Sequence, residues 1–254
     1  MTGRPARPGI TTLKASGLTA GYSAQPVVHD VDIEVATGEV VVLLGANGAG
    51  KTTTMLALSG VLPLMKGEVR FNGQPESRSL HRRARDGMSY VSEERSMLRE
   101  LTLADNLRCA GVAIADALGL FPELELRLHV RGGLVSGGEQ QMLALALALC
   151  RQPRLVLADE LSLGLAPLVV QRLFQAVRAA ADNGCAVLMV EQHARIALRY
   201  ADRAYVMRQG RIDISCTATE ARARIGEIED SYLTAVASHA NGSGGGPRDS
   251  SRSA

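Results

Sequence analysis

The stretch VVVLLGANGAGKT, Val40 to Thr52, decides the fold. Its first five residues are all valine or leucine, a composition typical of a strand buried on both faces of a parallel sheet. GANGAGKT, Gly45 to Thr52, then matches the pattern GxxxxGK[ST], and TTTMLALSG continues with helical spacing. The stretch therefore predicts a phosphate-binding loop between a strand and a helix. An ordinary glycine-rich turn is the alternative interpretation.

The residues of this loop suit a nucleoside triphosphate. Glycines let the backbone N–H groups curl around phosphates at a helix start, where the helix dipole favours an anion. Lys51 is expected to reach the β- and γ-phosphates of ATP, and the Thr52 hydroxyl to hold Mg²⁺. The expected binding residues are Gly45, Ala46, Asn47, Gly48, Ala49, Gly50, Lys51, Thr52 and Thr53.

Further strand patterns predict the rest of the sheet. RLVLA (Arg154 to Ala158) and AVLMV (Ala186 to Val190) are short apolar runs followed by helical patterns, as in a parallel sheet flanked by helices. FNGQ (Phe71 to Gln74) and RQGR (Arg208 to Arg211) read as hairpin turns and predict an antiparallel portion. A stretch from about 96 to 151 has helical patterns without clear strands, which predicts an inserted helical subdomain.

Two acidic residues follow the second buried strand. RLVLADE places Asp159 and Glu160 at its carboxyl end, the edge where parallel sheets bind ligands. Asp159 is expected to hold Mg²⁺ through water, and Glu160 to act as general base toward the attacking water. A solvated strand end with two acids is the alternative interpretation.

A second anion-binding pattern is VSGGEQQM, Val135 to Met142, before an apolar helical run. Ser136, Gly137 and Gly138 present a hydroxyl and unobstructed N–H groups at a helix start. One chain cannot wrap both this pattern and its own phosphate loop around one γ-phosphate, so we expect it to serve ATP on a partner subunit. Taken alone, the pattern would indicate an ordinary helix cap.

Composition excludes several other classes of protein. The chain has 254 residues, 46% of them hydrophobic, which is enough for a buried core. A net charge of +2 does not indicate a nucleic-acid binder, and the basic run RSLHRRAR lacks interleaved aromatic residues, so we interpret it as a solvated helix face. No uncharged apolar run reaches the ~20 residues of a membrane span. The four cysteines are expected to be reduced core residues.

The order of the motifs carries a resemblance. Along the chain stand Tyr22, GANGAGKT, YVSEER, VSGGEQQM, LADE, SLGLAP and VEQH. From Leu13 to Ala237 the chain resembles the nucleotide-binding subunits of ABC transporters. The resemblance implies an α/β fold with a P-loop NTPase (RecA-like) core, an antiparallel β subdomain and an inserted helical subdomain. The expected domain spans 11–238, and the Gly- and Ser-rich segment 239–254 is expected to be a disordered tail.

Several site residues follow from the resemblance alone. Tyr22 occupies the place of an aromatic residue that stacks on adenine, although it also fits an ordinary strand end. Glu93 in YVSEER takes the place of a glutamine that senses Mg²⁺ and the membrane subunit. SLGLAP, Ser162 to Pro167, resembles the loop that links two ATP sites across the dimer. Gln192 aligns with the histidine that contacts the γ-phosphate, which leaves His193 as a helix-start residue.

Within the family, the chain looks most like the smaller ATPase of branched-chain amino acid importers. Val135, Leu161 and Leu147 depart from the usual leucine, proline and arginine, and the segment between Asn106 and the signature is shorter than usual. The catalytic residues Lys51, Glu160 and Gln192 are present.

The expected function is therefore ATP hydrolysis that drives an importer of branched-chain or related amino acids. The expected partners are a similar ATPase subunit, in a homo- or heterodimer, two membrane permease subunits and an extracytoplasmic solute-binding protein, with no nucleic acid. The expected location is the cytoplasmic face of the cell membrane. Two alternatives remain: a soluble ABC-type ATPase acting on ribosomes or DNA, and a P-loop kinase, which would have no use for VSGGEQQM.

Overall fold

A computed structural model describes residues 10–94 and 97–230. Its strands are β1 (Thr11–Tyr22), β2 (Gln25–Ala36), β3 (Val40–Leu44), β4 (Lys66–Phe71), β5 (Gln74–Pro75), β6 (Met88–Val91), β7 (Leu155–Asp159), β8 (Ala186–Glu191), β9 (Arg203–Arg208) and β10 (Arg211–Thr217). Its α-helices are α1 (Lys51–Ser59), α2 (Leu80–Arg85), α3 (Leu103–Cys109), α4 (Ile114–Leu120), α5 (Gly137–Leu149), α6 (Pro167–Asp182), α7 (Ala194–Ala197) and α8 (Ala218–Ala223).

The central sheet has six strands in the order β10-β9-β3-β8-β7-β6. Strands β9, β3, β8, β7 and β6 run parallel, while β10 is antiparallel to β9. The three predicted apolar runs are therefore neighbours, and their carboxyl ends meet at one edge. The predicted hairpin at Arg208 to Arg211 is confirmed, since the two residues pair directly.

A second sheet is antiparallel, in the order β2-β1-β4-β5. Its β4–β5 hairpin turns through Asn72 and Gly73, which both have positive φ, and Phe71 pairs with Gln74 as predicted. The long strands β1 and β2, 12 residues each, were not part of the sequence prediction. The antiparallel subdomain itself is confirmed.

Two apolar cores lie on opposite faces of β3. Val40, Val42 and Leu44 point into the core that contains the apolar residues of α5 and α6, whereas Val41 and Leu43 point into the core under α1 and the antiparallel sheet. All five side chains are fully buried. This alternation explains why the strand is apolar throughout, since neither face meets water.

The helical insertion runs from α3 to α5. Between α4 and α5 lie 3₁₀ segments at Pro122–Arg127 and Gly132–Leu134. Phe121, which is fully buried, anchors this region to the larger core. An isolated bridge joins Thr102, just before α3, to Arg131, between the two 3₁₀ segments.

Three expectations at the periphery had different outcomes. Cys185 is buried and Cys150 and Cys216 are partly buried, but Cys109 is exposed, so the prediction of a core cysteine was wrong there. Residues 225–230 are helical, and the segment 239–254, expected to be a disordered tail, lies outside the described residues. No helix in the described part of the chain is both long and apolar enough to cross a membrane.

Candidate active site

The phosphate loop is held between the carboxyl end of β3 and the start of α1. Gly45 lies so close to β9 that a Cβ on it would be 2.5 Å from the carbonyl oxygen of Met207. Gly50 caps α1 with φ +103°, a conformation that L side chains rarely adopt. No side chain caps this helix. The first N–H groups of α1 therefore face the loop's concavity, as anion binding requires.

Lys51 is buried at the base of the loop. Its side chain is 4% exposed, and its Nζ donates to the carbonyl oxygen of Ala46 at 3.1 Å. Glu160 Oε1 lies 3.8 Å from the same nitrogen. Burial lowers the pKa of Lys51, opposed by the nearby carboxylates of Glu160, Asp159 and Glu191. The ammonium is thus held in place before any phosphate arrives.

Asp159 lies beneath the cleft with one oxygen unused. Its side chain is buried, and Oδ1 has no hydrogen-bond partner among the described residues. Oδ2 accepts a hydrogen bond of 3.5 Å from the hydroxyl of Tyr90, and Thr52 also bonds the carboxylate. Burial raises the pKa of Asp159 to about 6, opposed by Thr52. A buried carboxylate in this state is stabilised by a cation.

Glu160 and Gln192 contact each other at the mouth of the cleft. Gln192 Nε2 donates to Glu160 Oε1 at 2.7 Å. The backbone of Glu160 has φ +50°, a left-handed conformation that costs a non-glycine residue on the order of 1 kcal/mol. Its N–H donates to the carbonyl oxygen of Val190 at 3.0 Å. The loop after β7 is therefore fixed against β8, with the carboxylate of Glu160 directed into the cleft.

The sequence prediction missed a further carboxylate. Glu191, the last residue of β8, is buried and accepts hydrogen bonds from the Ser162 N–H, at 3.2 Å, and from the Ser162 hydroxyl. Burial raises its pKa to about 7, opposed by the Ser162 bonds. The signal for Glu191 in the sequence was an acidic residue directly after the apolar run AVLMV. Its partner, 29 residues away, was not visible in the sequence.

A cleft of about 420 Å³ opens above these groups. Among the residues that line it are Asn47, Gly48, Gly50, Lys51, Thr52, Thr53, Glu93, Glu160 and Gln192. Val27 and Leu163 also line it and were not predicted. Tyr22 is half exposed at the end of β1 and is not among the lining residues, so its contact with adenine stays a prediction.

Ser136 caps α5 and does not line this cleft. Its hydroxyl oxygen accepts from the Glu139 N–H at 3.3 Å, and its own N–H donates to Glu139 Oε2 at 2.8 Å. Arg127 Nε donates to Glu139 Oε1 at 2.8 Å. Because the hydroxyl oxygen only accepts the capping bond, its proton stays available to an anion. Packing also favours glycine at position 138, since a Cβ on Gly138 would be 3.1 Å from a methyl group of Val169.

The departures from the family pattern fill apolar positions. Val135, Leu161 and Leu147 all pack in the core that contains α5 and α6, the last of them only partly buried. None of them lines the cleft. His193 is the N-cap residue of α7, as predicted.

The cleft's donor set fits MgATP. In the described residues no group of three or more His, Cys, Asp or Glu could hold a metal by itself. Mg²⁺ in phosphate sites takes one or two protein oxygens and completes its shell with phosphate and water. The Thr52 hydroxyl and the unpaired oxygen of Asp159 offer that number. Lys51 and the N–H groups of the loop supply the positive charge for the phosphates.

Comparisons with known proteins agree with this arrangement. Residues 28–162 match a family model described as ABC transporter. A high-affinity branched-chain amino acid transport ATP-binding protein, BraG of Pseudomonas aeruginosa, is 39% identical over 84% of this chain and 95% of its own length. The lipopolysaccharide export system ATP-binding protein LptB of Acidithiobacillus ferridurans is 36% identical over 79% and 88%. A solved ATP binding subunit of an ABC transporter is 30% identical with a TM-score of 0.72, covering 90% of this chain and 99% of that one.

Proposed function

From the premise that this chain belongs to the ABC transporter family as an ATP-binding subunit, we propose that it hydrolyses ATP to drive import of branched-chain or related amino acids. The chain is an ATPase of that family. Subunits of the family dimerise and work with membrane permeases. One observation carries the proposal: Lys51, Thr52, Asp159 and Glu160 converge at the carboxyl edge of the parallel sheet.

Each of these residues has a task. Lys51 binds the terminal phosphates, and Thr52 and Asp159 would hold Mg²⁺, with Glu93 at the mouth of the cleft as a further oxygen donor. Bound Mg²⁺ would neutralise phosphate charge. Glu160 accepts the proton of the attacking water as its contact with Gln192 opens. Gln192 then donates to the γ-phosphate, and Tyr22 stacks on adenine.

The second half of the site comes from another subunit. Because Ser136 lies outside the cleft of its own chain, we place Ser136, Gly137 and Gly138 against ATP on a similar ATPase subunit. ATP binding closes this dimer and moves the two permease subunits, and hydrolysis resets them. The protein works at the cytoplasmic face of the membrane, together with an extracytoplasmic solute-binding protein.

The choice of solute rests on similarity. The branched-chain amino acid protein of P. aeruginosa shares more identities with this chain, and over more of its length, than the lipopolysaccharide export protein does. The combination SLGLAP and VEQ also resembles the smaller ATPase of the amino acid importers. We therefore favour amino acids.

Purification from detergent-solubilised membranes tests the assignment. We expect the chain to co-purify with multi-span permeases, and its ATPase rate in liposomes to rise when a binding protein loaded with leucine, isoleucine or valine is added. Stimulation by lipopolysaccharide instead would indicate an exporter. Recovery on ribosomal particles or DNA would favour the alternative of an ABC-type ATPase that does not act in transport.

Glu160→Gln tests the chemistry directly. Removing the base should lower kcat by about 100-fold or more, while ATP binding persists because the phosphate loop is intact. The matched control is Glu123→Gln, which removes a carboxylate of the helical insertion that pairs with Arg172 of α6. An unchanged rate in Glu160→Gln would remove this residue from the role of base.

A further inference from the structure

Two contacts of opposite direction join the loop after β7 to the end of β8 and the residue that follows it. In the outer contact Gln192, after β8, donates to Glu160, after β7, at 2.7 Å. In the inner contact the direction is reversed, since Ser162 donates through its N–H, at 3.2 Å, and its hydroxyl to the carboxylate of Glu191. The loop after β7 is therefore held at two adjacent positions, by Glu191 and by Gln192.

The two contacts differ in their access to the substrate. Glu160 and Gln192 line the cleft, so their bond must open when Glu160 receives water and Gln192 receives phosphate. Glu191 is 1% exposed and Ser162 is 5% exposed, and neither lines the cleft. The inner contact can therefore persist through the reaction while the outer one opens.

Glu160 needs such a persistent support. Its left-handed backbone, φ +50°, is unfavourable for a residue with a Cβ and lasts only where the surroundings enforce it. Before the reaction the contacts that hold this segment include the Glu160 N–H on Val190, the Glu160 side chain on Gln192 and Lys51, and Ser162 on Glu191. Once Gln192 leaves, the flanking bonds of Val190 and Ser162 remain.

We propose that Glu191 is a positioning residue for catalysis: by holding Ser162, it keeps Glu160 aimed into the cleft after the Gln192 contact opens. This inference rests on the proposed role of Glu160 as base. Packing alone does not explain the carboxylate, because burial disfavours its charged form and raises its pKa to about 7. An apolar side chain would fill the same space without needing hydrogen-bond partners.

The test separates kcat from KM. Glu191→Ala and Ser162→Ala should each lower the ATPase kcat of the full-length chain, assembled with the subunit that co-purifies with it, by about 10- to 100-fold. KM for ATP and the affinity for ADP should stay within about twofold, because the phosphate loop is untouched. Glu191→Gln should recover most of the rate, since its amide oxygen still accepts from Ser162. The double alanine variant should be no slower than Glu191→Ala, because that substitution alone removes both bonds of the inner contact.

Asp202→Ala is the matched control. Asp202 accepts one backbone N–H, from Val40, and one side-chain bond, from Arg178, but at the opposite edge of the sheet. The Asp202→Ala substitution should lower thermal stability and leave kcat unchanged. Ser162→Ala, which removes a single oxygen, keeps the test decisive if Glu191→Ala does not fold.

Two results would overturn the inference. One is an unchanged kcat in a folded Glu191→Ala or Ser162→Ala protein. The other is a loss of ADP affinity in proportion to kcat, which would indicate general unfolding of the site. Failure of the proposed function would look different: the unsubstituted assembly would not hydrolyse ATP, or Glu160→Gln would keep its full rate.

Discussion

The two edges of the central sheet hold their charges in opposite ways. At the carboxyl edge Asp159, Glu160 and Glu191 surround one buried lysine, Lys51. At the amino edge two acids pair with arginines: Asp202 lies 2.7 Å from Arg178, and Glu39 pairs with Arg203. At the amino edge these charges are neutralised within the protein. At the carboxyl edge the carboxylates outnumber the one lysine in a confined space. The unbalanced edge is where a cation and a phosphate would be stabilised.

Cavity volume alone would have indicated the amino edge as the functional edge. A cavity of about 740 Å³ lies at the amino edge, and the cleft at the carboxyl edge has about 420 Å³. The larger cavity is lined by residues of α4, α5 and α6 and of the loops that follow α5 and α6, among them Cys150, Cys185 and the charged residues Asp116 and Arg154. Three carboxylates gathered around one buried lysine, rather than cavity volume, mark the reactive edge.

The largest effect that would sharpen this contrast is expected from Lys51→Ala. Removing the buried cation leaves the phosphates without their ammonium partner, so ATP affinity should fall at least about 100-fold, or roughly 3 kcal/mol. Titration with a fluorescent ATP analogue measures it. Arg178→Ala removes a cation from the amino edge and serves as the control. Equal losses of affinity in the two variants would break the contrast.

The second largest effect is expected on the pH dependence of the free energy of unfolding. The pKa of Glu191 is about 7 in the folded chain and near 4.5 as an unperturbed group. Between these values the folded state binds more protons than the unfolded state, so stability falls as pH rises. Nucleotide-free protein should lose about 3 kcal/mol more than Glu191→Gln between pH 4.5 and 7.5. Urea unfolding at several pH values checks this, and parallel curves for both proteins would refute it.

The smallest effect is expected from the amino edge. Asp202→Ala should lower the free energy of unfolding by about 1 kcal/mol, because Val40 and Arg178 lose an acceptor. The ATPase rate should not change. Thermal unfolding and a steady-state assay measure the two quantities, and a rate loss above twofold would show that this edge also serves the reaction.

Sequence predicted the parts of the site that are local in the chain. The phosphate loop and the pair Asp159 and Glu160 were identified from short patterns next to apolar runs, and the sheet places both at its carboxyl edge. The helical insertion and both hairpins were likewise predicted from short stretches of sequence. The family followed from the order of the motifs and is shown by the comparisons.

What was missed depends on distant partners. The Ser162–Glu191 contact, the cleft residues Val27 and Leu163, and the long strands β1 and β2 arise from tertiary packing that no short window contains. The exposure of Cys109 was missed because apolar neighbours in sequence say little about the outer face of a short helix. The roles of Tyr22, Glu93 and Gln192 toward ATP stay predictions.

The capping box at Ser136 has a consequence for association. Glu139, steadied by Arg127, orders the start of α5 within the single chain. A partner that docks there meets a rigid surface, so little conformational entropy is lost on binding. In the proposed dimer, the start of α5 would therefore need no ordering when it contacts ATP on the partner subunit.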